Sequence, residues 1–368
     1  MRPYTTSTFF TLLLVMVACG GAESQTAGDS SGGARSGGVN AAEHLDAPYL
    51  VLLSLDGFRY DYLDDIPTPA FQRMIAEGAR ADRMIPVFPT KTFPTHYTVA
   101  TGMYAENHRL VGNRFWAPEK SGFYSMSNRE IVEDGSWYGG EPIWVTAERQ
   151  GMVSAAYHFV GTEADVGGVS PTEWYPFDAS VSNREKVEKV LEWLALPADR
   201  RPHVLTMYFE DLDGAGHNYG PGTSQVRDAV ERVDRELGRL LDGIDAMPHG
   251  DQVYVIVVSD HGMIRIDPDR AQDLDMDVFP GVRLVTSGTY ASLWVDEGGP
   301  PRAPQVRDSL RAMLPEADVW LREEVPERFH YSADPRIGDI VALAAPGSLV
   351  IPKGRSLPSE PYTHGWDN

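Results

Sequence analysis

Three stretches of this 368-residue chain end in acids. PYLVLLSLDG closes around Asp56, HVLTMYFEDLDGAGH on a cluster around Asp213, and QVYVIVVSDHG around Asp260. Histidines accompany two of them: His217 stands four residues after Asp213, and His261 directly follows Asp260. His364 lies in YTHGWDN, again in a His-Gly step. Carboxylate and imidazole suit Zn²⁺ and similar divalent ions, and four or more such ligands from separate segments suffice for two ions. Singly, each acid reads as a turn or cap residue and each histidine as a surface or core residue. The set together favours a metal centre.

A nucleophile for such a centre could come from TKTFPTHYTVATG, residues 90–102. Thr92 sits beside Lys91 with Pro89 and Pro94 on its flanks. Ser and Thr next to Pro commonly open helices, so the hydroxyl reads equally as a cap or as an attacking group. The stretch alone does not decide between them.

The elements that must position these residues follow from hydrophobic periodicity. The three acid-ended runs are nearly continuous in Val, Leu, Ile and Tyr, as expected for strands buried on both faces. Between them lie amphipathic helical patterns, NREKVEKVLEWLAL at 183–196 and TSQVRDAVERVDRELGRLLDGI at 223–244. Strands alternating with helices predict an α/β fold with a mainly parallel central sheet and helices on both faces. Ligands of such sheets bind beyond the carboxyl ends of the strands, where all three runs deliver their acids.

The formal net charge of −21 argues against a basic face for polymeric nucleic acid or anionic lipid. A small anionic ligand remains compatible where metal ions reverse the local field. At the N-terminus, Arg2 and the apolar run FFTLLLVMVA form a signal-type segment, residues 1–18, too short to span a bilayer. It ends in VAC, which resembles a bacterial lipobox. Cys19, the only cysteine, would then carry a lipid anchor on an exported, envelope-bound protein without internal disulfides. Residues 19–46 are rich in Gly, Ser and Ala and read as a flexible tether reaching roughly 30 Å, ahead of a catalytic domain at 47–368.

LSLDGFR, TKTFPTHYTVATG, GNRFW, EPIWVTAERQG, YFEDLDGAGHNYGP, VSDHGM, PRIGDIVAL and THGWDN occur in one order along the chain. In this the sequence resembles the nucleotide pyrophosphatase/phosphodiesterases of the alkaline phosphatase superfamily, from about residue 48 to the end. The resemblance implies an alkaline phosphatase-like fold with a smaller inserted or capping region. It also implies two zinc ions, Mn²⁺ or Fe²⁺ being alternatives. Asp56, Thr92, Asp260 and His261 would hold one, and Asp213, His217 and His364 the other. Thr92 would be the nucleophile, because coordination to a dication makes its alkoxide accessible, and a threonyl–nucleotide ester would form and be hydrolysed. Asn113 would donate to a non-bridging phosphate oxygen, with the Thr92 N–H as a second donor. Lys91 would contact substrate phosphate, and Phe93 and Trp174 would sandwich the base.

The chain departs from the family pattern in several places. Thr95 replaces the usual Asn of TFPNH, and FVGT at 159–162 stands where WPGS is common. Family members usually continue with another strand and helix beyond THGWDN, so His364 is expected on a weakly anchored tail. The leading expectation is hydrolysis of nucleotides such as ATP at the α-phosphate, by a chain for which a monomer is favoured. A phospholipid or choline-phosphate diesterase shares every metal ligand, and a catalytically inactive nucleotide-binding lipoprotein is the non-enzyme alternative. A phosphomonoesterase is disfavoured because no Arg follows Thr92.

Overall fold

The computed structural model of the chain describes residues 38–359 and 361–367. The signal-type run, Cys19 and most of the tether lie outside the described residues. In chain order the first part contains β1 (Tyr49–Leu55), α1 (Pro69–Glu77), α2 (Thr92–Thr101), β2 (Ser154–Tyr157) and β3 (Glu173–Tyr175). It continues with α3 (Asn183–Leu194), β4 (Val204–Phe209), α4 (Asp211–Tyr219), α5 (Ser224–Asp245) and β5 (Val253–Ser259). The five strands form one all-parallel sheet in the order β3-β2-β4-β1-β5.

Strand alternation sends β1 side chains to both faces. Val51, Leu53 and Leu55 pack with α1, α3 and α5, whereas Leu52 packs with Tyr97 and Ala100 of α2. The sheet therefore carries helices on both faces, as the periodicity predicts. Helix α3 starts at a capping box of Ser182 and Glu185, and α5 at Thr223, whose hydroxyl accepts from the Val226 N–H. Buried Asp234 interrupts the apolar stripe of α5 for a local reason: its carboxylate accepts from the N–H groups of Ala70 and Phe71 and caps α1.

A smaller antiparallel sheet follows, built from β6 (Val282–Thr286), β7 (Tyr290–Val295), β8 (Ala317–Leu321) and β9 (Ile340–Ala344), with α6 (Ala303–Met313) between β7 and β8. Its strand order is β6-β7-β9-β8, and it has a separate apolar core. Among the described residues no helix is long and apolar enough to cross a membrane.

Two expectations need correction. The fold takes in residues assigned above to the tether: Asn40 is buried, donates to the carbonyls of Ala198 and Arg201, and accepts from the Val153 N–H. One amide side chain that satisfies three backbone groups outweighs the flexible composition around it. Strand β5 is also not buried on both faces. It is the sheet edge, where Tyr254 and Ile256 are 64% and 47% exposed and Ile256 lines a groove of about 850 Å³.

Candidate metal centre and nucleophile turn

Parallel register brings the acids together. Leu55 pairs with Phe209 on one side and with Ser259 on the other, so Asp56 and Asp260 leave neighbouring strands at one level. Asp213 lies in the first turn of α4, just past β4, and His217 follows one helical turn later. Gly57 allows the close approach: its φ is +72°, and a Cβ there would stand 2.9 Å from the Cα of Asp213. Its N–H also donates to Asp260 Oδ1.

Two overlapping groups of ligand atoms result, each gathered within 4.8 Å: Asp56, Asp260 and His261, and Asp213, His261 and His364. His261 is common to both. Its Nε2 lies 3.2 Å from Asp56 Oδ1 and 3.0 Å from Asp260 Oδ2. His217 Nε2 stands 3.4 Å from Asp213 Oδ1, and His364 Nε2 stands 3.9 Å from the same atom. The rings of His261 and His364 stack with centroids 3.3 Å apart.

The donor set fits a pair of cations. Asp56 Oδ1, Asp213 Oδ1 and Asp260 Oδ2 are buried without a hydrogen-bond partner among the described residues. Such atoms need a counter-charge. All three histidines are oriented alike: Nδ1 of His217, His261 and His364 lies 2.8, 3.0 and 2.9 Å from the carbonyls of Tyr362, Gly262 and Thr90. A carbonyl only accepts, so each Nδ1 carries the proton and each Nε2 keeps a lone pair for a metal. Burial, together with Asp260 and Asp213, pushes the Asp56 carboxyl well above its usual range. Burial opposes the Asp260 charge as well, yet His261 and His96 hold that carboxyl below the ordinary value. Cations among these groups would replace the retained protons.

Thr92 is the first residue of α2, and Lys91 is its N-cap with extended backbone and no side-chain cap bond. The cap reading of Thr92 therefore gives way. Its Oγ1 lies 3.4 Å from His261 Nε2. The capping is done from outside the helix: Asn113 Oδ1 accepts from the Phe93 N–H at 3.0 Å. That bond orients the Asn113 amide and leaves its NH₂ end as the donor.

Lys91 reaches the C-terminal segment. Its Nζ donates to the His364 carbonyl at 2.7 Å, and burial lowers its pKa to about 8 against the opposing pull of Asp213. The expected looseness of the tail is overturned. Tyr362–Thr363 pairs with Ile264–Arg265, the Trp366 indole donates to the Ser348 carbonyl, and its ring joins the core of the smaller sheet. Gly365 makes the crossing over Lys91 feasible, with φ +111° and a would-be Cβ 2.4 Å from the lysine Cε.

Phe93 is half-buried beside Thr92, with its ring edge-on to Tyr124. Trp174 stands on edge strand β3, opposite Ala156 of β2. Sequence reasoning missed Phe177, which is 41% exposed with its ring 6.2 Å from Tyr208. The Tyr208 hydroxyl donates to Asp56 Oδ2, so one ring separates Phe177 from the ligand cluster. Its position at the end of PTEWYPF was the available signal. His96 was missed likewise: it is wholly buried, and its Nδ1 lies 3.3 Å from Asp260 Oδ2.

Comparison with known proteins agrees with this geometry. The family model described as type I phosphodiesterase / nucleotide pyrophosphatase matches residues 50–367. Human ectonucleotide pyrophosphatase/phosphodiesterase family member 5 is 32% identical over 325 residues, 88% of this chain and 67% of that protein. Human family member 1 is 39% identical over 221 residues, but the match covers only 24% of its length and 60% of this chain. Murine member 5, solved as an inactive threonine-to-alanine variant in complex with AMP, superposes with a TM-score of 0.79 at 30% identity, over 88% of this chain and 84% of that one. The sheet, the inserted smaller layer and the ordered motifs thus share one explanation: the chain belongs to the type I phosphodiesterase / nucleotide pyrophosphatase family, with its alkaline phosphatase-like fold.

Proposed function

We propose that the chain hydrolyses nucleotide phosphodiester and pyrophosphate bonds at the α-phosphorus, through a covalent ester on Thr92. The observation that carries this reading is the Thr92 hydroxyl at the N-terminus of α2, 3.4 Å from the histidine shared by both ligand groups. Two divalent cations, Zn²⁺ by donor type, would be held by Asp56, Asp260 and His261 with Thr92 and by Asp213, His217 and His364, supplying Lewis acidity that favours the deprotonated hydroxyl and offsets phosphate charge.

Thr92 Oγ1 forms the bond to phosphorus while the bond to the leaving pyrophosphate breaks. The Thr92 N–H at the helix start and the Asn113 amide NH₂ donate to the non-bridging oxygens. Water then cleaves the ester, restores the hydroxyl and releases the nucleoside monophosphate. Phe93 offers an aromatic face at the nucleophile, and Trp174 and Phe177 flank the carboxyl end of β2. Binding of AMP by the inactive murine relative, and the bis(5'-adenosyl)-triphosphatase name of a Xenopus laevis relative 33% identical over 323 residues, support a nucleotide over a choline phosphodiester.

The test compares nitrophenyl thymidine monophosphate, nitrophenyl phosphate and nitrophenyl phosphorylcholine, with and without EDTA, for wild type and Thr92→Ala. The nucleotide diester should be preferred, and chelation or Thr92→Ala should each lower kcat by at least about 10³-fold. Activity that survives both treatments refutes the mechanism, and a preference for phosphorylcholine refutes the substrate class.

A further inference from the structure

We infer that His96 is the positioning residue of the nucleophile turn, an inference that rests on Thr92 being the nucleophile. Its ring is wholly buried in α2 and touches three segments that carry the first ligand group. Nε2 lies 2.8 Å from the hydroxyl of Ser54, two residues before Asp56 on β1. Nδ1 lies 2.8 Å from the carbonyl of Thr92 itself and 3.3 Å from Asp260 Oδ2. The ring also stands edge-on to Tyr208, whose hydroxyl holds Asp56.

The partners dictate the tautomer. The Thr92 carbonyl can only accept, so Nδ1 carries the hydrogen, and Nε2 must then accept from the Ser54 hydroxyl. With that hydrogen on Nδ1, one side chain ties the Thr92 main chain to β1 and lies against the carboxylate of Asp260. The opposite tautomer would set a lone pair against both oxygens. His96 thus fixes where the Thr92 hydroxyl stands relative to Asp56, Asp260 and His261. It touches neither substrate nor reacting atom. The sensitivity expected of such a role is large, because a misplacement of about 1 Å at a reacting group costs about 10²-fold in rate.

The two conservative replacements separate the ring nitrogens. Asn sets its amide NH₂ near the place of Nδ1, whereas Gln reaches the place of Nε2 and leaves the Thr92 carbonyl with the helical N–H of residue 96 but without the side-chain donor. With nitrophenyl thymidine monophosphate, His96→Gln should lower kcat by about 10²-fold with KM changed by less than about threefold, and His96→Asn should recover at least about tenfold of that loss. Equal losses in both variants, or a loss confined to KM, overturn the inference. A second measurement needs neither activity nor a folded variant. In ¹⁵N-histidine-labelled wild-type protein, metal-free and zinc-loaded, the buried His96 ring should show the Nδ1–H tautomer, slow to exchange with solvent. An Nε2–H tautomer or a freely exchanging ring overturns the inference. Wild type and Thr92→Ala run beside these variants: if those two hydrolyse the diester equally, the functional reading has failed, while the spectrum still decides the placement of His96.

Discussion

Thr92 owes its availability to its neighbours. Lys91 takes the cap position with its backbone alone, Asn113, from a segment about twenty residues on, accepts the Phe93 N–H, and the Thr95 N–H is taken by the Lys91 carbonyl. The hydroxyl is thus spared for the ligand cluster. Nothing in the structure explains Thr95, the departure from the family motif. It is 1% exposed, and its Oγ1 has no hydrogen-bond partner among the described residues. A buried hydroxyl without a partner is a cost that an apolar side chain of similar shape removes. Thr95→Val should therefore leave kcat within about twofold and raise unfolding free energy by up to about 1 kcal/mol, read from urea titrations. A large loss of stability would show that Oγ1 has a partner in solution.

The strands and the tail act as elements. Three adjacent parallel strand ends supply Asp56, Asp260 and the start of α4, and the tail closes the cluster with His364. The tail is secured mainly by Trp366, which is 4% exposed in the core of the smaller sheet. Trp366→Ala should release it locally: amide exchange over residues 361–367 should quicken, and a chelator should remove zinc from protein loaded with it at least about tenfold faster, while the urea midpoint of the parallel sheet moves little. Unchanged chelation kinetics would show that Lys91 and the Thr90 carbonyl suffice to hold His364.

At the scale of the molecule, acid should act through histidines buried away from the metal ligands. Burial lowers His108 to about 4; burial and the charge of Lys186 lower His158 to about 3. Both folded values lie below the ordinary 6.5 of the unfolded chain. Such groups contribute stability above pH 6.5, and that contribution is lost as pH falls towards the folded values, because the unfolded chain takes up the protons first. The urea midpoint should therefore decline from pH 6.5 to 4, and His158→Phe should flatten the decline. An unchanged slope in that variant would mean that His158 is already protonated or exposed in solution. The open edge at β5 belongs to the same scale, since edge status is a property of the assembled sheet and of no residue in it.

Much of this protein was legible one segment at a time. The runs before Asp56 and Asp213 mark buried strands because a strand covered on both faces has no room for polar alternation, although the like run before Asp260 became an exposed edge, and Ser182 and Thr223 stand at helix starts because orphan N–H groups need acceptors. The spacing of Asp213 and His217 allows both to serve one ion, and sets them on one face once Asp211–Tyr219 is helical. Those are local consequences of backbone geometry, so the sequence by itself determined them. Tertiary structure alone decided that His261 is common to both ligand groups, that Phe177 stands beside Tyr208, that Lys91 grips the tail, and that His96 joins Ser54, Thr92 and Asp260. Each of these pairs residues far apart in the chain, and such contacts depend on strand register and on which side chains meet across packed layers, neither of which any single segment encodes.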